Sequence, residues 1–237
     1  MATEVRTALP PVVSQQEWDT AREAFLVSEK AYMRAGDALN AERRRQPVVE
    51  ITTPYTFEST NGPVTLLDLF GDRSQLVVYH FMFAPGQGEG CDGCSMIVDH
   101  MGPVQHLNAR DTSLVLISRA PLQELLPYKQ RMGWDQEWVS SFETSFNQDM
   151  GSTQDDGEHH MISVFVRDGD RIFRSTKVEA RGGETFISTF KYLDLTPYGR
   201  QEEWEDSPAG WPKTEAYSWW KRHDEYEPSA SSSSCCH

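Results

Sequence analysis

The 237-residue chain sets 36 Asp+Glu against 22 Lys+Arg for a net charge of −14, with 38% hydrophobic and 11% aromatic residues. That composition supports a buried core and excludes wholesale disorder, and its negative charge excludes nucleic acid and anionic lipid as general partners. No apolar run nears the roughly 20 residues of a membrane span, and the N-terminus lacks a basic-then-apolar leader, so the expected compartment is cytoplasmic.

Ser14-Gln15-Gln16-Glu17 reads as a capping box that opens a long helix. Trp18, Ala21, Phe25, Ser28, Tyr32, Ala35 and Leu39 recur at steps of three and four, so they share one stripe. About 30 residues reach about 45 Å, so this arm is expected to pack along the body or against a second copy. Arg43-Arg44-Arg45 suits its C-terminus.

From Pro47 the period changes to extended chain, with a turn at Asn61-Gly62-Pro63. Gln75 to Phe83 reads as a strand covered on both faces, and Leu114 to Ile117 as a second. Helical spacing runs from Cys91 to about Leu107 and from Pro121 to about Met132; Trp138 to Phe142 is short and extended. Met161 to Thr176 forms a hairpin around Asp168-Gly169-Asp170. A last core helix is expected from Glu184 to Tyr192, and a further helical piece from Glu215 to Asp224. Strand, helix, strand, helix, hairpin, helix is an α/β order with a mixed sheet.

Four cysteines fall in two pairs, Cys91/Cys94 and Cys235/Cys236. In a reducing compartment such pairs are redox-active or metal-binding rather than structural. Cys91-Asp92-Gly93-Cys94 sits between a buried strand and a helix, where unpaired amides and the positive end of the dipole lower the first thiol's pKa. Asp92 works against this. Cys94 is spaced to close a disulfide with Cys91. His80, on the preceding strand, either faces the motif or is a buried histidine satisfied by backbone, and His159-His160, just before the hairpin, either approach the motif or are loop residues in solvent; His100 lies between one and two turns down the helix, and for His106 and His223 the sequence names no partner. The remaining tryptophans read as packing.

Leu9-Pro10-Pro11-Val12-Val13-Ser14, Tyr79-His80-Phe81-Met82-Phe83, Cys91-x-Gly93-Cys94-Ser95, Ser118-Arg119-Ala120-Pro121 and Tyr192-Leu193-Asp194-Leu195-Thr196-Pro197 occur together. In this combination the chain resembles a bacterial thioredoxin-like family catalogued as domain of unknown function 899, over nearly its whole length. The resemblance implies a thioredoxin-like α/β fold with an N-terminal helical extension and does not reach the C-terminal tail; along the chain the expected parts are a helical arm at 1–46, a core domain at 47–200, a Trp-rich extension at 201–228 and a Ser-rich tail at 229–237.

Thioredoxins place a cis-proline before the hairpin strand; here no proline lies between Tyr128 and Thr196, which leaves room for a ligand. The chain order is similar to the peroxiredoxin branch, whose arginine near the thiol makes Arg119 the candidate stabiliser. The expected function is a thiol-dependent redox enzyme, a thiol–disulfide oxidoreductase or peroxiredoxin-like reductase without a cofactor. Cys91 is its nucleophile, Cys94 its resolving thiol, and a small-molecule or protein disulfide or peroxide its substrate. One alternative is a copper or zinc protein with ligands among Cys91, Cys94, His80 and His160. Another is a non-catalytic scaffold that dimerises through the N-terminal helix. Cys235-Cys236-His237 reads as a resolving or metal-ferrying segment or as an unselected tail.

Overall fold

A computed structural model describes residues 9–227; the Cys235-Cys236-His237 tail lies outside them. Helix α1 spans Gln15–Arg43 and carries the expected capping box, with the Ser14 side chain and Glu17 bonded reciprocally. None of its 29 residues is buried. Trp18, Phe25, Tyr32 and Leu39 stand exposed, so the arm does not pack along its own body.

The strands are β1 (Val49–Ile51), β2 (Thr56–Ser59), β3 (Gly62–Thr65), β4 (Gln75–His80), β5 (Thr112–Ser118), β6 (Glu137–Ser140), β7 (Thr153–Gln154), β8 (Gly157–Glu158), β9 (Met161–Asp168) and β10 (Arg171–Glu179). Eight of them form one mixed sheet in the order β1-β10-β9-β4-β5-β6-β2-β3, while β7 and β8 pair separately. Strands β4, β5 and β6 run parallel, and β9 joins β4 antiparallel. The other helices are α2 (Asp92–Asp99), α3 (Gln105–Asn108), α4 (Leu122–Arg131), α5 (Phe146–Met150) and α6 (Ser188–Asp194). With its flanking helices this is a thioredoxin-like α/β fold.

Successive strand residues point to opposite faces, and β4 divides its side chains accordingly. Tyr79, Phe81 and Phe83 pack with Cys94, Ile97, Leu125 and Phe190 on one face. Leu76 and Val78 pack with Phe57, Phe70, Phe146 and Phe165 on the other. Both faces are covered, as the unbroken apolar run implies.

Three expected helices differ. The Cys91–Leu107 segment breaks after α2 because Pro103 disfavours helical backbone at Gly102. The last core helix starts at Ser188, after a 3₁₀ turn over Ala180–Phe186. Glu215 to Asp224 is turns with a 3₁₀ stretch at His223–Glu225. Tyr217 there takes a left-handed φ of 62°, which no helix accommodates.

Candidate active site

Cys91 is the N-cap of α2, and its sulfur accepts from the Cys94 amide at 3.5 Å. The chain reaches this point through Gly90, where a Cβ would sit 2.6 Å from the Phe81 ring and 2.8 Å from Tyr128. Only glycine passes between those rings. Gly93 is constrained likewise, since a Cβ would meet Trp220 at 2.6 Å. The Cys91 carbonyl accepts from Ser95 Oγ at 2.8 Å; Ser95 lies 2.8 Å from the Tyr128 hydroxyl, which accepts from Arg222 Nε at 3.0 Å.

The two thiols are unequal. Cys91 is half-buried and Cys94 buried. A hydrogen bond from the Cys94 thiol does most to lower the Cys91 thiol; burial opposes it, the Cys94 and Gly93 amides reinforce it, and Asp92 raises it, leaving a pKa of about 6. Burial pushes the Cys94 thiol well up, and the neighbouring Cys91 charge adds to that. Beneath Cys94 lies the fully buried Tyr79. Its hydroxyl has no hydrogen-bond partner among the described residues and faces the Cys94 sulfur.

A cavity of about 490 Å³ opens on Cys91, walled by Ile97, His160, Ala180, Ile187, Tyr217 and Trp220. Burial lowers the His160 imidazole's pKa, so the ring is neutral near pH 7. Arg181 and Glu184 complete the rim and pair with each other at 2.9 Å. Burial opposes ionisation of Glu184, but hydrogen bonds from Arg181, Arg200 and Tyr217 outweigh it and hold its pKa at about 2. A larger hollow of about 900 Å³ beside Tyr55, Phe57 and Phe142 has no cysteine or histidine in its wall.

The C-terminal extension forms the outer wall. The buried Glu202 carboxylate accepts from the indoles of Trp204 (2.5 Å) and Trp219 (2.8 Å) and from the Tyr217 amide (3.0 Å). Arg222 donates to the Gly90 carbonyl at 2.8 Å and pairs with Asp92 at 3.1 Å. Arg200 bridges Glu184 and Asp194 beneath the Phe190 ring, 4.2 Å from its centre.

Of the expected site residues, Cys91, Cys94 and His160 come together. His80 does not: its parity on β4 turns it to the opposite face, where it stacks on Phe146 and bonds Ser163 at 2.9 Å and Ser152 at 3.1 Å. Arg119 does not either: its guanidinium is spent on Glu158 at 2.5 Å and is absent from the cysteine cavity. His159 pairs with Asp156, and His100 with Thr189 and the Met96 carbonyl. Among the described residues no three His, Cys, Asp or Glu side chains group as metal ligands, so the copper or zinc set with His80 is not assembled. Tyr79, Arg222 and the wall role of Trp220 were not anticipated. Tyr79 shares strand parity with Phe81 and Phe83, a findable signal; Arg222 meets Gly90 across 132 residues, which no local pattern marks.

A CxxC capping a helix beside His160, on a mixed sheet with β4–β6 parallel, makes this a protein of thioredoxin-like fold. The model of a family described as "Bacterial protein of unknown function (DUF899)" matches residues 7–226, and the chain belongs to that family. No curated protein matches it. Among solved structures, the chain is similar to peroxidoxin BcpB from Mycobacterium tuberculosis at 15% identity, covering 62% of this chain and 97% of that one with a TM-score of 0.45. A PrxQ mutant from Xylella fastidiosa matches at 11% identity, covering 62% and 94%, TM-score 0.43. The mitochondrial 2-Cys peroxiredoxin of Plasmodium falciparum matches at 13%, covering 64% and 95%, TM-score 0.41. No helix among the described residues is long and apolar enough to cross a membrane.

Proposed function

We propose that this protein is a dithiol oxidoreductase of a reducing compartment, the cytoplasm, with Cys91 as nucleophile and Cys94 as resolving thiol. The observation that carries this reading is the inequality of the two sulfurs: both line the cavity, but Cys91 is half-buried with its thiol lowered to about 6, while Cys94 is buried at the cavity floor with its thiol raised. The Cys91 thiolate attacks a disulfide sulfur or peroxide oxygen and expels the other half of the bond. Cys94 then loses its proton and attacks the Cys91 sulfur, closing the internal disulfide; an external dithiol restores the pair. Arg119 has no part in this scheme, and the α2 amides take its place beside the thiolate.

The test is alkylation of the reduced chain across pH, read at each thiol by mass spectrometry. Cys91 is expected to label with a midpoint near pH 6, and Cys94 only in strong base. Cys91→Ser should abolish turnover, and Cys94→Ser should trap the Cys91 adduct, a mixed disulfide with a disulfide substrate or a sulfenic acid with a peroxide. Labelling of Cys94 first, or turnover in Cys91→Ser, would overturn the assignment and leave the scaffold reading. The exposed stripe of α1 extends the proposal to a homodimer through that helix.

A further inference from the structure

The cavity at Cys91 carries information about what enters it. Its inner wall is built from Ile97, Ala180, Ile187 and the faces of Tyr217 and Trp220. The charged groups at its rim are already matched: Arg181 is paired with Glu184 and lies over the Trp204 ring, 4.5 Å from its centre, Glu184 also takes Arg200 and the Tyr217 hydroxyl, and Asp92 takes Arg222. Among the described residues that line the cavity no cation is left over to hold an anionic substrate, and the chain's charge of −14 repels one. A volume of about 490 Å³ is that of a small-molecule site.

The wall is also fixed. Glu202 holds Trp219 and the Tyr217 amide, and Arg222 ties the same segment to Gly90 and Tyr128. Trp220 lies against Gly93, so the space beside the CxxC is taken by the chain's own aromatics rather than left as a groove for a peptide.

We infer that the substrate is a small uncharged molecule whose reducible bond, S–S or O–O, is borne on an apolar body lying between Trp220, Tyr217 and Ile187. The inference rests on the reading of Cys91 as nucleophile. The Cys91 sulfur bonds to the near atom of the S–S or O–O pair, that bond breaks, and the far half leaves with the electron pair and takes a proton from water. Cys94 then attacks Cys91, releasing the near group as thiol or water. The dithiol is oxidised by two electrons and the substrate reduced by two; dithiothreitol, an added dithiol, resets the enzyme.

Matched probes test this on the reduced full-length chain, with disulfide formation followed by acid quench and mass spectrometry. Lipoamide and lipoate share one cyclic disulfide and differ in charge; cumene hydroperoxide and hydrogen peroxide share one O–O bond and differ in apolar body. The favoured member of at least one pair should react about tenfold faster, a difference of about 1.4 kcal/mol, and faster than oxidised glutathione or insulin. The pair that shows it identifies the bond. Trp220→Ala, and independently the surface variant Tyr217→Ala, should each bring that ratio toward one. Equal rates within both pairs, or preference for glutathione disulfide or insulin, overturns this inference while leaving the dithiol reading standing. If no probe closes the Cys91–Cys94 disulfide, both readings fall.

Discussion

The Tyr79 hydroxyl, which has no hydrogen-bond partner among the described residues, and the Met82 amide face the Cys94 sulfur and favour its thiolate against burial and the Cys91 charge. Tyr79→Phe keeps the ring and deletes one of them. A hydrogen bond to a charged group contributes about 1.5–3 kcal/mol. Resolution should therefore slow about tenfold at pH 7 and its pH profile move upward by about one unit, while Cys91 still alkylates near pH 6. An unmoved resolution profile would remove Tyr79 from the mechanism. On the other face, burial and then the Arg174 charge push His80 down to about 3. Its folded pKa lies below the unfolded value of about 6.5, so only the unfolded chain takes up that proton as pH falls below 6.5. Stability should decline by about 1.4 kcal/mol per pH unit from that group until pH nears 3. Urea midpoints between pH 7 and 4 check this; the decline should be shallower in His80→Asn. Cys91 was legible because its cap, its dipole and Asp92 are all local in sequence. His80 was not, because a strand buried on both faces shows no alternation to reveal which residues face the cysteines.

At the level of elements, the strap from Tyr217 to Glu225 acts on α2 through charge as well as packing. Arg222 neutralises Asp92, the carboxylate that raises the Cys91 thiol. Arg222→Ala should move the Cys91 alkylation midpoint up by about half a pH unit, and Asp92→Asn should move it down. In the double variant the Arg222 effect should largely vanish, the partial exposure of Asp92 keeping each change small. An undiminished Arg222 effect without Asp92 would mean that the strap acts by position alone. The strap itself was misread as a helix. Its left-handed Tyr217 is held by the amide bond to Glu202 and the hydroxyl bond to Glu184 at 2.7 Å, long-range contacts that local helical spacing cannot register. Likewise the segment before α6 is a 3₁₀ turn over Ala180–Phe186 in which Gly183 packs against His160, where a Cβ would meet the ring at 2.8 Å, a contact equally invisible to local spacing. By contrast α1 was read nearly to its ends, since a capping box and a three–four stripe are written in consecutive residues.

For the whole molecule, α1 sets a requirement that the sheet does not meet. Phe25 is 60% exposed, Tyr32 73% and Trp18 54%, and one contiguous apolar stripe on an otherwise polar helix calls for cover. Sedimentation of the full-length chain at micromolar concentration should show a dimer, and Phe25→Glu with Tyr32→Glu should yield a folded monomer. A monomeric wild type would end that proposal. The order of elements along the chain was legible from the alternation of strand and helix periods, but the strand order was not. The pairing of β2 with β6 rests on Glu58 and Ser140 alone, a contact no periodicity announces. The distance in sequence between the dithiol and its cover also bears on how the protein is made. Gly90 and Arg222 are 132 residues apart, and a ribosome adds roughly 5–20 residues per second. Each nascent chain therefore carries Cys91 and Cys94 for about 7–26 s before the strap that walls them exists. Through that interval the compartment's own reducing power, rather than the fold, must keep the pair as thiols.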